Sequence, residues 1–115
     1  MKYSIPIVGN KGLDERVSEH FGRAPYYAIW NEETDEIEIL DNFSEHFGGR
    51  GLPAELLAQY SDGILCGGIG SRAISLCEQL GLKVYVGAYG TVREVIAKFK
   101  EGKLKEATSK DGCNH

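Results

Sequence analysis

Apolar and polar residues alternate over the first part of the chain in the pattern of extended strands. Apolar residues occupy every second position of residues 2–8, which predicts a strand that ends before a Gly-Asn pair. Residues 26–31 predict a second strand and residues 36–41 a third with one solvated face, and a polar turn separates the two. Pro6 is a reservation about the first strand, because proline lacks the backbone donor that a ladder uses and prefers sheet edges or bulges.

The second part of the chain alternates short apolar runs with helical patterns. Residues 64–66 and 82–86 are apolar runs that glycines end, which is typical of buried strands. A short helix begins at Pro53, a residue suited to the first helical turn, and a longer helix over residues 71–80 ends at Gly81. The predicted buried residues are Leu56, Leu57 and Tyr60 in the first helix and Ala73, Cys77 and Leu80 in the second.

The last helix carries the strongest local signals in the sequence. Thr91 and Glu94 have the spacing of a capping box, which satisfies two backbone N–H groups at a helix start. Gly102 ends the helix, and the polar residues 103–115 are expected to form a flexible tail. The predicted buried stripe of this helix is Val92, Val95, Ile96 and Phe99.

The predicted elements follow the order β-β-β-α-β-α-β-α, which indicates an α/β fold. A hairpin joined to two strand–helix units predicts a five-stranded mixed sheet flanked by three helices. Because crossovers between parallel strands are right-handed, the fourth strand lies beside the first, and the sheet order is 3-2-1-4-5. This order is analogous to the ribonuclease H-like motif. We expect one domain over residues 1–102, followed by the tail over residues 103–115.

Composition excludes several classes of function. The chain has 115 residues, of which 42% are apolar, and its formal net charge of −4 argues against nucleic acid as a partner. No apolar run approaches the ~20 residues that cross a bilayer, so no membrane partner is expected. Three cysteines are too few for a disulfide framework and odd in number, which indicates reduced thiols in a cytoplasmic protein.

Glycine-rich segments follow the predicted parallel strands and mark the candidate site. Ligands of open α/β sheets bind beyond the carboxyl ends of the strands, here between the first and fourth strands. Residues 66–70 and 87–90 meet there with the loop after Gly9, and both lead into helices whose amino ends can hold an anion. The predicted anion-binding glycines are Gly67, Gly68 and Gly70.

Two other functions fit this edge less well. Residues 68–73 match the dinucleotide pattern G-x-G-x-x-A, but the next strand does not end in the acidic residue that a ribose needs. A strand-to-helix turn that needs glycine explains the pattern more simply. A nuclease would need clustered carboxylates, and the fourth strand offers only Asp62, at the wrong end.

Imidazole and thiol side chains are the groups of this chain suited to copper, zinc, iron and iron–sulfur species. His20 lies in the loop after the first strand, near Arg23, whose guanidinium can hold an anion. An ordinary surface histidine would explain this position equally well. Cys66 ends a buried strand beside the predicted site, and a small buried hydrophobic residue is an equal alternative there.

The remaining histidines and cysteines are weaker candidates. Cys113 and His115 lie two residues apart at the end of the chain, and metal ligation there is at best an even alternative. Cys77 lies on the apolar face of a helix and is predicted to be core. His46, in a loop with three glycines, is more typical of a solvated histidine.

Three segments together resemble a known family. Residues 16–24 read Arg-Val-Ser-Glu-His-Phe-Gly-Arg-Ala, residues 62–70 read Asp-Gly-Ile-Leu-Cys-Gly-Gly-Ile-Gly, and residues 81–85 read Gly-Leu-Lys-Val-Tyr before the capped helix. Over nearly its whole length the chain resembles the dinitrogenase iron–molybdenum cofactor-binding domains, the NifX and NafY-like group. The resemblance implies a ribonuclease H-like fold that binds iron–molybdenum cofactor or a related Mo/Fe/Cu–sulfur cluster and catalyses no reaction.

The resemblance also implies roles for particular residues. The family histidine of the H-F-G motif falls on His20. The Cys-Gly-Gly strand end and the Cys/His-bearing carboxyl terminus of small family members bear on Cys66, Cys113 and His115. A cluster carrier would exchange its cargo with donor and acceptor proteins. Two alternatives stay open: a regulatory or protein-interaction domain of the same fold without a cluster, and an anion- or nucleotide-binding module that uses the glycine turns.

Overall fold

A mixed β-sheet of six strands organises the part of the chain that the computed structural model describes, which is residues 1–19, 21, 24–41 and 53–108. The strands are β1 (Lys2–Ile7), β2 (Tyr26–Asn31), β3 (Ile37–Asp41), β4 (Gly63–Leu65), β5 (Lys83–Val86) and β6 (Lys105–Ala107). The helices are α1 (Pro53–Leu57), α2 (Ser71–Gln79) and α3 (Val92–Lys100), and a 3₁₀ turn covers Gly12–Asp14.

The sheet order is β3-β2-β1-β4-β5-β6. The pairs β1–β4 and β4–β5 are parallel, and the other neighbours are antiparallel. The first five positions therefore follow the predicted order 3-2-1-4-5. One cluster of buried residues joins α1 and α2 to one face of the sheet, and a second joins α3 to the other face. The result is a mixed α/β fold in three layers.

The predicted number of five strands is wrong, because β6 adds a sixth strand to the sheet. This strand lies within the polar segment 103–115 and pairs antiparallel with β5, with Val84 opposite Ala107 and Val86 opposite Lys105. Only Ala107 of β6 is buried. Since β6 is held by backbone pairing at an edge of the sheet, its side chains carry almost no hydrophobic pattern.

Pro6 lies in a central strand, the position that the predicted order 3-2-1-4-5 gives to β1. In the antiparallel pair with β2, Pro6 is opposite Tyr27. Its carbonyl points away from β2 and accepts a hydrogen bond from the Ser18 N–H at 2.8 Å. The side of Pro6 that lacks the N–H therefore faces away from β2, at a point where the parallel pairing with β4 has already ended at Ser4. No ladder bond to β2 is lost.

Helix α3 confirms its sequence pattern. The capping box is complete, because the Glu94 N–H donates to the Thr91 hydroxyl at 3.2 Å and the Thr91 N–H donates to the Glu94 carboxylate at 2.9 Å. Three residues of the predicted stripe are buried, and Phe99 is partly buried. The Phe99 ring lies in an aromatic cluster, with centroid distances of 4.7 Å to Tyr3, 5.1 Å to Tyr85 and 5.8 Å to Trp30.

Two predicted core residues are exposed because their helices end before them. Helix α2 buries Ile74 and Cys77, whereas Leu80 lies at its carboxyl cap and is 39% exposed. Tyr60 follows the end of α1 and is 40% exposed. The core assignment of Cys77 is confirmed, and burial, together with the charge of Glu78, raises the pKa of its thiol to about 11.

Replacing Glu94 by glutamine is expected to lower stability at neutral pH and to have little effect in acid. The pKa of Glu94 lies below its usual 4.5 because the Thr91 backbone N–H and then the Thr91 hydroxyl donate to the carboxylate. A lowered folded-state pKa means that this stabilisation is complete above 4.5 and is lost as the pH falls through the folded value. The melting temperatures of both proteins across an acid pH series measure the effect.

The control is Glu38→Gln, which changes an exposed strand residue outside any cap. Its melting temperature should stay close to that of the wild type at each pH. A difference between Glu94→Gln and the wild type that persists unchanged in acid would show that the carboxylate charge does not stabilise the capping box.

Candidate functional site

The carboxyl ends of the parallel strands β1, β4 and β5 lie at one edge of the sheet, called here the carboxyl edge. Two segments that leave this edge are hydrogen-bonded to each other. The Ala88 N–H donates to the Cys66 carbonyl at 3.0 Å, and the Gly87 N–H donates to the Gly67 carbonyl at 3.2 Å. The glycine-rich segments after β4 and β5 therefore meet at this edge, as the sequence predicts.

Residues 15–18 occupy the place beside β1 that β4 leaves open at the carboxyl edge. The Val8 N–H donates to the Arg16 carbonyl at 3.1 Å, and Ile7 and Val17 form an antiparallel bridge. On the other side of this segment, the Val17 N–H donates to the Gly90 carbonyl at 2.8 Å. The predicted site between the first and fourth strands is thus partly filled by backbone.

A buried glutamate organises the loop that leads into residues 15–18. Glu15 is 8% exposed, and its carboxylate accepts hydrogen bonds from the backbone N–H groups of Lys11 at 3.3 Å and Arg16 at 3.0 Å. A Cβ at Gly9 would collide with this carboxylate. Nothing in the local sequence pattern around Glu15 indicates this burial.

The turn between β4 and α2 has the features of an anion site. Gly70 is the N-cap of α2, with φ −72° and ψ 157°, and no side chain caps this helix end. The first turn of α2 contains no acidic residue. A Cβ built at Gly68 or at Gly70 would meet no described atom within 4 Å. The described residues therefore leave space beside Gly68 and Gly70 at this helix start, where unpaired backbone N–H groups and the helix dipole favour a negative ligand.

The second predicted anion site, at the start of α3, already holds a carboxylate. Glu94 accepts hydrogen bonds from the Thr91 N–H at 2.9 Å and the Thr91 hydroxyl at 3.2 Å. An external anion at this position would have to displace that side chain. The structure therefore distinguishes the two helix starts that the sequence treated alike, and it favours the start of α2.

Cys66 follows β4 directly, and its side chain lies in the core. The residue is fully buried in the cluster beneath α2, and its thiol lies 3.7 Å from the Tyr85 carbonyl. Its backbone is fixed as well, because its N–H donates to the same Tyr85 carbonyl at 3.0 Å. Cys66 thus ends β4 at the carboxyl edge, and its burial is that of a small core residue.

Tyr27 is a residue that sequence reasoning missed. It is fully buried in β2, and its hydroxyl donates to the Phe21 carbonyl at 2.5 Å. Burial raises the pKa of this hydroxyl, and the charge of the nearby Cys66 raises it further. The apolar setting of Tyr27 in its strand predicts burial, and a buried tyrosine needs a hydrogen-bond partner for its O–H. The sequence therefore contained a signal for this contact, although not for its partner. Tyr27 thus ties Phe21 of the H-F-G motif to β2.

Four predicted ligands lie outside the described residues. These residues are His20, Arg23, Cys113 and His115, and His46 lies outside them as well. The structure does bring together Cys66, Gly67, Gly68 and Gly70 at one turn. Within residues 1–19, 21, 24–41 and 53–108, no three His, Cys, Asp or Glu side chains converge in a way that could hold a metal ion. In the same ranges, no helix has the length and apolar character needed to cross a membrane.

Comparison with known proteins places this arrangement in context. A family model described as dinitrogenase iron-molybdenum cofactor matches residues 1–102. An uncharacterized protein of Methanocaldococcus jannaschii is 35% identical in an alignment of 113 positions, which covers 92% of this chain and 91% of that protein.

Two solved structures are also similar. The apo form of the orange protein from Desulfovibrio gigas superposes with a TM-score of 0.81 at 28% identity, and 92% of each chain is covered. The NMR structure of a candidate NifB protein from Thermotoga gives a TM-score of 0.73 at 30% identity, with 91% of each chain covered.

Proposed function

Since the chain belongs to the dinitrogenase iron-molybdenum cofactor family, we propose that it binds and carries iron–molybdenum cofactor or a related Mo/Fe/Cu–sulfur cluster and catalyses no reaction. The cluster would be its cargo, received from a donor protein and passed to an acceptor protein in metallocluster assembly or trafficking. The similarity to the orange protein supports the proposal, because "apo" is the term for a protein without its bound group.

The observation that carries the proposal is the uncapped amino end of α2 beside the glycine turn at the carboxyl edge. Metal–sulfur clusters carry negative charge over a large surface, and backbone N–H groups hydrogen-bond to their sulfur atoms. The glycines Gly68 and Gly70 leave room for such a body to approach the backbone. In this proposal the turn contributes donors and Arg23 contributes a charged fork, while His20 ligates a metal ion directly.

Cysteine ligation would be secondary in this proposal. The Cys66 thiol is fully buried, so it could reach a metal only after the residues that cover it move. Cys113 and His115 are proposed as additional ligands from the carboxyl terminus. We therefore rank His20 first among the candidate ligands.

We assign the sheet to the ribonuclease H-like class and the protein to the cytoplasm. Residues 1–102 would form the cluster-binding domain, with β6 added to its sheet from the segment 103–115. The remainder of that segment would supply Cys113 and His115.

Anaerobic reconstitution tests the proposal and the role of His20. The full chain is incubated with isolated iron–molybdenum cofactor, or with tetrathiomolybdate and a copper(I) salt, and the charge-transfer absorption is titrated. His20→Ala should weaken binding by at least about tenfold, which is the lower end of the effect of residues outside the first ligand shell. The matched control, His46→Ala, should bind as the wild type does.

Each other outcome has a distinct meaning. If His20→Ala binds as tightly as the wild type, the ligand assignment is wrong. If the wild type binds neither probe but a thermal-shift screen shows stabilisation by nucleotides or oxyanions, the chain is an anion-binding module instead. If nothing binds and a protein co-purifies, the interaction-domain alternative is favoured.

A further inference from the structure

Tyr89 makes two close contacts with the first glycine of the candidate turn. Its hydroxyl donates a hydrogen bond to the Gly67 carbonyl at 3.2 Å. Its ring lies so close to Gly67 that an added Cβ would be 2.8 Å from the Cε1 atom of the ring. The tyrosine is nevertheless 54% exposed, the largest exposed fraction among the described large apolar side chains. Tyr89 is therefore not a core residue, and its hydrogen bond joins its own loop to the turn after β4.

The loop that carries Tyr89 joins both parts of the candidate site. The Tyr89 carbonyl accepts a hydrogen bond from the Lys98 ammonium group at 3.4 Å, which ties the loop to α3. The next carbonyl, that of Gly90, accepts from Val17 at 2.8 Å. Tyr89 thus lies between the glycine turn after β4 and residues 15–18, which lead toward the H-F-G motif.

The Tyr89 hydroxyl and the Gly87 N–H together fix a peptide that its two glycines would otherwise let turn easily. Gly67 and Gly68 flank one peptide bond, and glycine adopts positive and negative φ with similar ease, so this peptide could flip at low cost. Its carbonyl accepts from both Tyr89 and the Gly87 N–H, each at 3.2 Å. In a planar trans peptide the C=O of one residue and the N–H of the next point in opposite directions. Holding the Gly67 carbonyl toward Tyr89 therefore aims the Gly68 N–H away from it.

We propose that Tyr89 is a positioning residue of the cluster site, whose hydroxyl acts with the Gly87 N–H to keep the Gly67–Gly68 peptide in the orientation that presents the Gly68 N–H to an anion. No described residue accepts a hydrogen bond from that N–H. In the flipped peptide, a carbonyl oxygen would face the anion and repel it. The inference rests on the proposed function for its ligand, and on the Tyr89–Gly67 contact for its geometry.

The test compares Tyr89→Phe with a matched control, Tyr60→Phe. Tyr60 is a 40% exposed tyrosine that precedes β4, at the opposite edge of the sheet. Tyr89→Phe keeps the ring and removes the hydroxyl. It should shift the ¹⁵N–¹H resonance of Gly68 and weaken tetrathiomolybdate binding roughly 2- to 10-fold, the range that the net strength of one hydrogen bond corresponds to. The melting temperature should fall only slightly, because Tyr89 is exposed and the Gly67 carbonyl keeps the Gly87 N–H as a donor. Tyr60→Phe should change none of the three quantities.

A second variant approaches the same contact from its other side. Gly67→Ala should displace the Tyr89 ring, because its Cβ would overlap that ring. Since both variants then remove the same interaction, the double variant should bind no more weakly than Gly67→Ala alone. If the fold-losses in affinity of the two single variants multiply in the double variant, the two residues do not act through one contact.

The outcomes separate this inference from the proposed function. If the wild type binds and Tyr89→Phe binds equally with an unshifted Gly68 resonance, the positioning role is wrong and the cluster-carrier function stands. If the wild type does not bind tetrathiomolybdate, the proposed function fails for this probe. The Gly68 resonance still decides the geometry, because a shift in Tyr89→Phe supports the positioning of the peptide and an unshifted resonance overturns it.

Discussion

Gly70→Asp is expected to make the protein slightly more stable and to remove most of its affinity for an anionic cluster. Gly70 is the N-cap of α2, its backbone is already extended, and a side chain there would meet no described atom within 4 Å. Aspartate at an N-cap accepts hydrogen bonds from the first turn and adds a favourable charge at the helix start. The same carboxylate would occupy the donors that the cluster needs and would repel it.

The two effects have opposite signs, which makes the prediction distinctive. We expect the free energy of unfolding to rise by up to about 1 kcal/mol. As an N-cap, aspartate stabilises a helix by a few tenths of a kcal/mol more than glycine, and a negative charge near the amino end of the helix dipole adds about 0.3–1 kcal/mol. We expect the affinity for tetrathiomolybdate to fall by at least about tenfold, because like charges in contact at a protein surface repel by several kcal/mol. Urea unfolding and an absorption titration measure the two quantities.

Gly70→Asn is the matched control, because asparagine caps equally well and has the same shape without the charge. It should retain more affinity than Gly70→Asp, and the gap should narrow at high salt as the charge is screened. Equal affinities of the Asp and Asn variants at low salt would show that no anion is held at the start of α2.

Tyr27→Phe is expected to destabilise the protein by about 1–3 kcal/mol and to weaken cluster binding further. The substitution keeps the buried ring but leaves the buried Phe21 carbonyl without its donor, and an unsatisfied buried acceptor costs that amount. Phe21 lies in the H-F-G motif, so the segment that carries the proposed ligand His20 would lose its anchor. Trp30 is the one tryptophan of the sequence and is fully buried, so its fluorescence can follow unfolding in urea.

Tyr60→Phe removes a hydroxyl from an exposed tyrosine and should change stability by no more than about 0.5 kcal/mol. Binding is compared under conditions where both variants are fully folded, so that the loss of anchoring is separated from the loss of stability. A Tyr27→Phe protein as stable as the wild type would contradict the hydrogen bond to Phe21. If Tyr27→Phe is destabilised but binds the cluster as tightly as the wild type, Phe21 does not position the ligand.

The parts of the fold that sequence predicts well are those fixed by local patterns. The cap of α3 and its stripe are set by residues within a few positions of each other, so the sequence contains the whole signal. The strand order follows from chain connectivity and the handedness of crossovers. By contrast, β6 and residues 15–18 are held by backbone hydrogen bonds to distant strands, and such pairing leaves little trace in side-chain pattern.

The meeting of the two glycine-rich segments was predictable from the sequence, and their contacts were not. The rule that ligands bind at the carboxyl ends of parallel strands made the Gly67–Gly70 turn the candidate site, and the structure brings this turn against the segment after β5. The capping box of α3 was visible in the sequence, but only the structure shows that Glu94 occupies the anion position there while α2 has no such cap. The contacts of Tyr27 with Phe21 and of Tyr89 with Gly67 join residues of different elements, which no local pattern reveals.

Metal and acid-labile sulfide analysis of the full chain, purified without oxygen, tests the central claim most directly. We expect molybdenum, iron or copper to co-purify with inorganic sulfide. The metal content and the sulfide content should both be lower in Gly70→Asp and in His20→Ala. A wild-type protein that carries neither metal nor sulfide, and takes up neither from iron–molybdenum cofactor or tetrathiomolybdate with copper(I), would contradict it.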